Sequence, residues 1–561
     1  MQLKFRQILE TYTRHGEPEP LPMALRGLPG ITRPVVKPGP EPRERLAEVL
    51  QVYRPDSDEH NDLIGSAFYR AIDTGDEVAV GMILNAGADP TLRYSEYTPT
   101  NALLHASECG LRDTVKLLWE RVGPEGRFLR SSGEPGTSGT GCLVVAARHG
   151  HVDLVLDFFE MWDGWTDAEL RGALRDAASA WCEDAVTLLL SRIRYEADAI
   201  QDALEASVWH KRVFPDRYTG YRDPNDNGDF DQQYRMVRQL IGAGADPNGV
   251  SHKGRLCEMP MLQWAISSVH APCLGHQCVD RISALKALLE NGADPNAQDK
   301  FGKTALHILF QRPLWSMPAL RLLLEYGVSL ELADEEGETP LHTAARSSTL
   351  ESFQFCLAQC GDASAAIQQQ TLGGDSLLHY AAAGARQDTV EFLLAAGLAV
   401  DSMTKNGWTP LHCAIMPLSN QGNVDNLRMA RCLLGHGASA QAVTTEGVTA
   451  LHALVSHPSY VKFRESEDIT SFARELIDLG VPLDAEASLI NDPPPSILGM
   501  REQWWSRRGL KPFSDVFSKC KLPITGAEPE NAALMWAYRR GHMGIFNAIM
   551  DHWASNAMDE S

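Results

Sequence analysis

Four side chains of types that bind metals lie close together in one segment of the chain. They are His270, Cys273, His276 and Cys278, within VHAPCLGHQC. Thiolate and imidazole groups are the ligands that zinc prefers. However, the spacing H-x2-C-x2-H-x-C differs from that of a standard zinc finger, and four ligands so close in sequence would be strained around one tetrahedral ion. The alternatives are a metal site and a loop with reduced cysteines. The loop is favoured, so no metal site is predicted.

Cys356 and Cys360 lie four residues apart, on one face of a predicted helix. No further ligand accompanies them in sequence, so we interpret both as packed thiols. The 11 cysteines are an odd number and are scattered along the chain, which indicates reduced thiols and no disulfide framework.

Signatures of common enzymes are absent from the sequence. It has no G-x4-G-K-[ST], no H-E-x-x-H, no G-x-S-x-G and no strand followed by G-x-G-x-x-G. We therefore predict no catalytic residue and no cofactor. An enzyme would need a pocket assembled from scattered residues, and the polar, aromatic insertion Arg212–Gln233 indicates that such a pocket would lie near Tyr218 to Tyr234.

Five histidines occupy the same place in five copies of one tetrapeptide. The copies read TALH, TPLH, SLLH, TPLH and TALH, and their histidines follow one another at steps of 35, 37, 33 and 40 residues. A period in the thirties is the mark of a repeat architecture. Equivalent places in a repeat favour a structural role for these side chains over acid–base or metal chemistry. The five histidines are His307, His342, His379, His412 and His452.

The tetrapeptide has the composition of a helix start. Thr caps the first turn, Pro at the first helical position lacks only an N–H that would stay unpaired anyway, and Leu then points into the core. A second apolar helix follows in each copy, for example around Thr389 to Ala396, and ends at a glycine. Two helices cannot bury their own apolar faces, so each copy must stack on the next.

The chain resembles the ankyrin-repeat family. The family pattern T-P-L-H-x-A matches Thr339–Ala344 and Thr409–Ala414, and its L-L-x-x-G-A-D-P-N pattern matches Leu240–Asn248 and Leu288–Asn296. The resemblance implies an all-α solenoid of about ten to twelve helix pairs with β-hairpin loops, protein binding on a concave face, and no reaction. It also implies that the histidines form hydrogen bonds tying neighbouring repeats together. Degenerate copies and starts such as PMLQWA at Pro260 are similar to those of many fungal members.

Composition shifts divide the chain into five predicted segments. A Pro-rich arm precedes degenerate copies, copies with insertions follow, and an insert rich in Trp and basic residues separates them from a last, capping copy. The degenerate copies include ALLH at Ala102 to His105 and a helix pair in Cys142–Phe159. The five segments are residues 1–60, 61–200, 201–490, 491–530 and 531–561.

Composition and charge indicate a soluble protein. The net charge is −22, which argues against sequence-independent binding of DNA or RNA because that requires clustered Lys and Arg. No stretch is long and apolar enough to cross a bilayer, and MQLKFRQILE lacks the core of a signal peptide. We expect a monomer in the cytoplasm or nucleus that binds proteins.

Aromatic and basic side chains are the predicted partner-binding residues. Phe301 and Trp408 lie at hairpin tips, where large rigid groups could anchor a partner. Trp504, Trp505, Arg507 and Arg508 lie together in the C-terminal insert. For each set the alternative is packing against the neighbouring repeats.

These observations support three hypotheses. The first is a non-enzymatic scaffold that binds a protein through the concave face and the insertions. The second is a substrate adaptor of a ubiquitin ligase, because LPMALRGL at Leu21 to Leu28 is faintly similar to the start of an F-box, although prolines interrupt the helices that should follow. The third is an enzyme of unrecognised type with its pocket in the insertions.

Overall fold

The computed structural model describes ten stretches of the chain. They are residues 58–90, 101–122, 141–208, 230–251, 258–268, 282–311, 316–415, 423–456, 467–485 and 542–559, with isolated residues between 43 and 51, at 487 and between 533 and 537. The stretches form two compact units, residues 1–294 and 295–561. Among the described helices, none combines the length and the apolar character needed to cross a membrane. The five-segment division stays a prediction.

The first unit consists of helix pairs and one short hairpin. The strands β1 (Val250–Ser251) and β2 (Met259–Pro260) are antiparallel, with Val250 opposite Pro260. The helices are α1 Asp58–Asp73, α2 Glu77–Asn85, α3 Ala102–Cys109, α4 Arg112–Val122, α5 Cys142–Arg148, α6 Val152–Met161, α7 Asp167–Ser179, α8 Glu183–Arg192, α9 Ala197–Val208, α10 Phe230–Gly242, α11 Met261–Ser268 and α12 Ser283–Glu290.

The second unit continues the same alternation of helices. Its additional short helix α17 lies between a helix pair and the next hairpin. The helices are α13 Ala305–Phe310, α14 Met317–Glu325, α15 Pro340–Ser347, α16 Leu350–Leu357, α17 Ala363–Gln368, α18 Leu377–Ala383, α19 Gln387–Ala395, α20 Pro410–Ile415, α21 Asn423–Gly435, α22 Ala450–Ser456, α23 Glu467–Asp478 and α24 Met543–Asp559.

Polar side chains start the helices, as their types predict. The Asn101 carboxamide accepts a hydrogen bond from Leu104 N at 2.9 Å, and Asp76 accepts one from Ala79 N at 3.2 Å. Thr166 and Glu169 form a reciprocal capping box at the start of α7. Each cap satisfies an N–H group that has no partner inside its helix.

In each unit the core forms where the first helix of one pair packs on the first helix of the next pair. In the first unit α5 packs on α7 and α7 on α9, and in the second α15 packs on α18 and α18 on α20. Small residues such as Ala177, Ala178, Ala381 and Ala382 are fully buried there, which lets the helices approach closely. Within the described residues there are eleven helix pairs. The predicted all-α fold of stacked helix pairs is confirmed.

Candidate protein-binding surface

Five β-hairpin loops of the second unit precede its five histidine-bearing helices. Each loop closes with a backbone hydrogen bond, and each turns at a glycine with φ between 75° and 84°, a conformation that residues with a Cβ adopt at a cost. The closing bonds run from Asp299 N to Lys303 O (3.0 Å), Asp334 N to Glu338 O (2.8 Å), Thr371 N to Asp375 O (2.9 Å), Thr404 N to Trp408 O (2.9 Å) and Thr444 N to Val448 O (3.0 Å).

The hairpins are joined to one another through their backbones. Each of the last four donates an N–H to a carbonyl of the hairpin before it. The bonds are Glu335 N to Phe301 O (3.0 Å), Leu372 N to Glu336 O (2.8 Å), Lys405 N to Gly373 O (2.8 Å) and Thr445 N to Asn406 O (3.0 Å). The tips therefore form one continuous ladder, here called the hairpin edge, whose backbone is fixed before any partner arrives.

The repeated histidines hold this edge on the helices. Each imidazole Nδ1 accepts a hydrogen bond from the backbone N–H of the Thr or Ser three residues earlier, at 3.0 to 3.3 Å. On the opposite side of the ring, His307 Nε2 lies 2.9 Å from Glu338 O and His379 Nε2 lies 3.1 Å from Trp408 O. Since Nδ1 accepts, Nε2 of these two rings carries the proton and donates to the next hairpin, whereas the buried Nε2 atoms of His342 and His412 make no hydrogen bond with any described residue.

Burial keeps these imidazoles neutral. It lowers the pKa of His342, His379 and His412 to about 4, well below the ordinary value. A neutral ring is the form that can accept at one nitrogen and donate at the other. The structural role predicted from their equivalent positions therefore accounts for all of their contacts with the backbone.

Exposed apolar side chains lie in or next to three adjacent hairpins, since Leu372 lies in the third and Met403 and Val443 directly precede the fourth and fifth. Leu372 is 65% exposed, Met403 56% and Val443 37%. Single exposed apolar groups are ordinary on a protein surface, but their recurrence at three successive hairpins makes this edge a candidate for partner binding. These residues are not among those predicted from the sequence. The signal that could have found them is an apolar residue beside the polar turn of each hairpin.

The two aromatic residues predicted at hairpin tips have different surroundings. Phe301 is partly exposed, and the Lys300 ammonium lies 5.1 Å from its ring centroid. Trp408 is only 2% exposed, and its ring packs edge-on against that of His412 at 5.8 Å. Trp408 thus takes the packing alternative in this structure, whereas Phe301 presents part of its ring on the hairpin edge.

Several predicted sites lie outside the described residues. These are the proposed partner-binding residues Trp504, Trp505, Arg507 and Arg508, the segment Leu21–Leu28 and the possible ligands His270, Cys273, His276 and Cys278. Of the insertion around the proposed enzyme pocket, Tyr218 also lies outside them. Tyr234 is described: its hydroxyl donates to Glu290, and Arg238 lies 5.6 Å from its ring centroid.

The thiols of Cys356 and Cys360 are protonated and packed. Burial raises the pKa of Cys356 to about 12 and that of Cys360 to about 11. The Cys360 thiol points back to the carbonyl oxygen of Cys356 at 3.6 Å. A protonated thiol is a poor nucleophile.

Comparison with known proteins finds one matching family model, and the similar proteins include a curated relative and a solved structure. A family model described as ankyrin repeats (three copies) matches residues 276–366, 357–424 and 378–464. The RelA-associated inhibitor of Mus musculus is 35% identical over 109 residues, which are 19% of this chain and 12% of that protein, so the match spans a small part of the relative. The crystal structure of the ankyrin repeat domain of Bcl-3, titled a unique member of the IkappaB protein family, matches at 25% identity and a TM-score of 0.28, over 40% of this chain and 89% of that one.

Proposed function

Since the chain is an ankyrin-repeat protein, we propose that it is a non-enzymatic scaffold of the cytoplasm or nucleus that binds a protein partner through the hairpin edge of its second unit. Ankyrin repeats are protein-interaction domains, and the finer assignment rests on the hairpin edge. Its backbone is hydrogen-bonded from loop to loop, so partner binding does not have to order it.

The observation that carries the proposal is the row of exposed apolar side chains at Leu372, Met403 and Val443. Removal of apolar side chains from water is a main driving force of protein association. Charged neighbours such as Lys300, Glu335 and Lys405 flank them on the same edge. An apolar centre with a polar rim is the usual anatomy of a protein-binding patch.

The test removes the apolar centre without touching the fold. The variant Leu372→Asp with Met403→Asp changes two exposed side chains. The control variant Leu479→Asp changes a residue of the same unit that is 50% exposed, directly after α23 and outside the five hairpins. Affinity purification with mass spectrometry should recover a specific partner with the wild type and the control, and lose at least about 90% of it with the double variant, because a buried charge opposes association.

Equal recovery of every partner by the double variant would argue against the hairpin edge. A second comparison then uses Trp504→Ala, Trp505→Ala, Arg507→Ala and Arg508→Ala together. Loss of a partner in that variant, with its thermal unfolding unchanged, would move the binding site to the C-terminal insert. The two variants thus separate the two predicted contact regions.

A further inference from the structure

Three side chains of types that can bind metals lie close together in the first unit, near the ends of α1 and α3. Asp73 is the last residue of α1, and Cys109 is the last residue of α3. His105 precedes Cys109 by four residues, so helical geometry places both side chains on one face of α3. That face meets the end of α1. Two different helices therefore supply the three groups.

The distances between the ligand atoms are close to those of a zinc site. His105 Nε2 lies 3.0 Å from Asp73 Oδ1 and 3.9 Å from Cys109 Sγ, and one ligand atom from each residue lies within 4.8 Å of the others. Around a tetrahedral zinc ion, such O–N pairs are about 3.3 Å apart and pairs that include sulfur about 3.5 Å. Shifts on the order of an ångström or less would bring all three onto one ion.

His105 can face α1 because it does not cap its helix. In the histidine-bearing copies the imidazole is the third helical residue, as in His307 of α13, and accepts from the capping Thr. In α3 the cap is Asn101, and Leu104 occupies the third position. The histidine of ALLH is thus displaced by one residue, which directs its ring away from the cap and towards Asp73.

The surroundings orient the imidazole and leave it accessible. The Tyr69 ring packs edge-on against it, with centroids 5.0 Å apart. Its Nδ1 lies 3.9 Å from Glu108 Oε2, beyond hydrogen-bond distance, and a small movement of Glu108 would give the carboxylate partner that metal-binding histidines commonly have. The side chains of His105 and Asp73 are 18% and 32% exposed, so an ion can reach them from solvent.

We propose that Asp73, His105 and Cys109 bind one zinc ion, with water as the fourth ligand, and that the ion links α1 to α3. Oxygen, nitrogen and sulfur donors together suit zinc better than magnesium or calcium, which prefer oxygen alone. Binding releases to solvent the thiol proton of Cys109 and any proton carried by the coordinating nitrogen of His105. Within the described residues, this is the one group of three such side chains that meets the geometric requirement.

The competing arrangement is an ion pair without metal. Burial by itself lowers the pKa of His105, but its contacts with Asp73, Cys109 and Glu108 outweigh burial and hold that pKa well above the ordinary value. In that state an imidazolium pairs with the Asp73 carboxylate, and Cys109 contacts the ring without binding a metal ion. Metal binding and ion pairing therefore differ in their dependence on Cys109.

The experiment uses the full chain, purified in reducing buffer and treated with a chelator that is then removed. Zinc is titrated by calorimetry, and cobalt is titrated while the absorption band of thiolate-bound cobalt is recorded. Wild type should bind about one equivalent at this site, show the cobalt band and unfold at a higher temperature with zinc than without. Cys109→Ser should abolish the band and weaken zinc binding by at least about tenfold.

Two control variants identify the site. Cys432→Ser removes a thiol that lies 3.7 Å from His436 Nδ1, a Cys–His pair with the same four-residue spacing in the second unit. It should change neither titration. Cys273→Ser with Cys278→Ser removes the thiols of the other candidate segment and should leave the cobalt band intact.

Three outcomes would overturn the proposal. They are no uptake of zinc by the wild type, a cobalt band that survives Cys109→Ser, and a band lost only in the Cys273→Ser, Cys278→Ser variant. If Cys109→Ser does not fold, Asp73→Asn provides the second test. This variant retains the size of the side chain. It should weaken zinc binding and make the thiolate–cobalt band weaker or shifted. Unchanged zinc binding would count against the site.

Discussion

At the scale of single residues, the burial of one imidazole decides both its hydrogen bonds and its charge. His379 accepts from Ser376 N at 3.1 Å and donates to Trp408 O at 3.1 Å, so one ring starts a helix and fixes the next hairpin. Protonation of Nδ1 would replace the acceptor with a second donor. The contact with Ser376 N would then become repulsive.

The buried histidines predict that the second unit loses stability in mild acid. The folded pKa of His342, His379 and His412 is about 4, against an ordinary value near 6.5. As pH falls from about 6.5 towards 4, the unfolded chain binds protons that the folded chain does not, so stability is present above this window and falls within it. At pH 5 each ring should lower the free energy of unfolding by on the order of 2 kcal/mol. Urea midpoints at pH 7.5 and pH 5 measure this loss.

The variant His379→Gln isolates one of these contributions. It keeps an N–H donor but has no group that titrates in this range. We expect it to be less stable than wild type at pH 7.5 by about 2 kcal/mol, because the cap is lost, and to lose less stability than wild type between pH 7.5 and pH 5. Parallel losses in the two proteins would show that His379 does not cause the acid sensitivity.

At Gly384 two backbone segments approach closely, so adding a side chain there should reduce the stability of the protein. A Cβ at this position would lie 1.9 Å from Arg346 O, at the point where α18 ends beside α15. Gly384→Ala should therefore destabilise the protein by about 1–3 kcal/mol through overpacking. The matched control is Gly435→Ala at the end of α21, where a Cβ would meet nothing within 4 Å.

Thermal unfolding and urea midpoints of the two glycine variants give the comparison. Gly435→Ala should be neutral or slightly stabilising, because alanine favours a helix over glycine by up to about 1 kcal/mol. A Gly384→Ala variant as stable as the control would mean that α15 and α18 can move apart at no cost.

At the scale of elements, charged side chains join the second helices of neighbouring pairs in the first unit. Arg112 of α4 donates to Asp157 of α6 through Nε at 2.5 Å and Nη2 at 2.7 Å. The Lys116 ammonium lies 3.3 Å from the same carboxylate, which is only 5% exposed. The hydrogen bonds from Arg112 hold the pKa of Asp157 below its ordinary value.

The contact between α4 and α6 predicts that replacing Asp by Asn costs more stability at the buried Asp157 than at the exposed Asp198. Asp157→Asn should cost about 1.5–3 kcal/mol, the usual range for a hydrogen bond to a charged group that is partly removed from water. Asp198→Asn removes a carboxylate that also pairs with an arginine, Arg171, at 2.5 Å but is 64% exposed, so its effect should be much smaller. Chemical unfolding of both variants measures the difference, and equal costs would mean that burial does not strengthen the Asp157 contact.

At the scale of the whole molecule, the capping histidines are unevenly distributed. His307, His342, His379, His412 and His452 all lie in the second compact unit, residues 295–561. Helices of the first unit start instead at Asp76, Asn101 and Thr166. Because repeats contact mainly their neighbours, regions of one array can open separately.

Hydrogen exchange should therefore distinguish the two units in acid. After correction for intrinsic exchange rates, amides of α18 and α20 should lose protection between pH 7 and pH 5, whereas those of α5 and α7 should keep it. The physical reason is the linkage between proton binding and the buried rings of the second unit. Equal loss of protection in both units would indicate that the chain opens as a single cooperative body.

The sequence by itself determined the local and periodic features of this protein. Helix starts at Thr304, Thr339 and Thr409, the period in the thirties and the stacking of helix pairs follow from capping chemistry and from apolar faces that cannot be buried within one copy. These signals depend on residues close together in the chain. The all-α repeat fold could therefore be predicted before the structure was known.

Only the tertiary structure decided which side chains face water and which converge. Trp408 and Leu372 both lie in hairpins, yet the first is buried against His412 and the second is 65% exposed. Asp73 and His105 are 32 residues apart, and only the packing of α1 against α3 brings their side chain atoms to 3.0 Å. Burial and convergence depend on contacts between residues that are distant in the chain, which no local pattern in the sequence records.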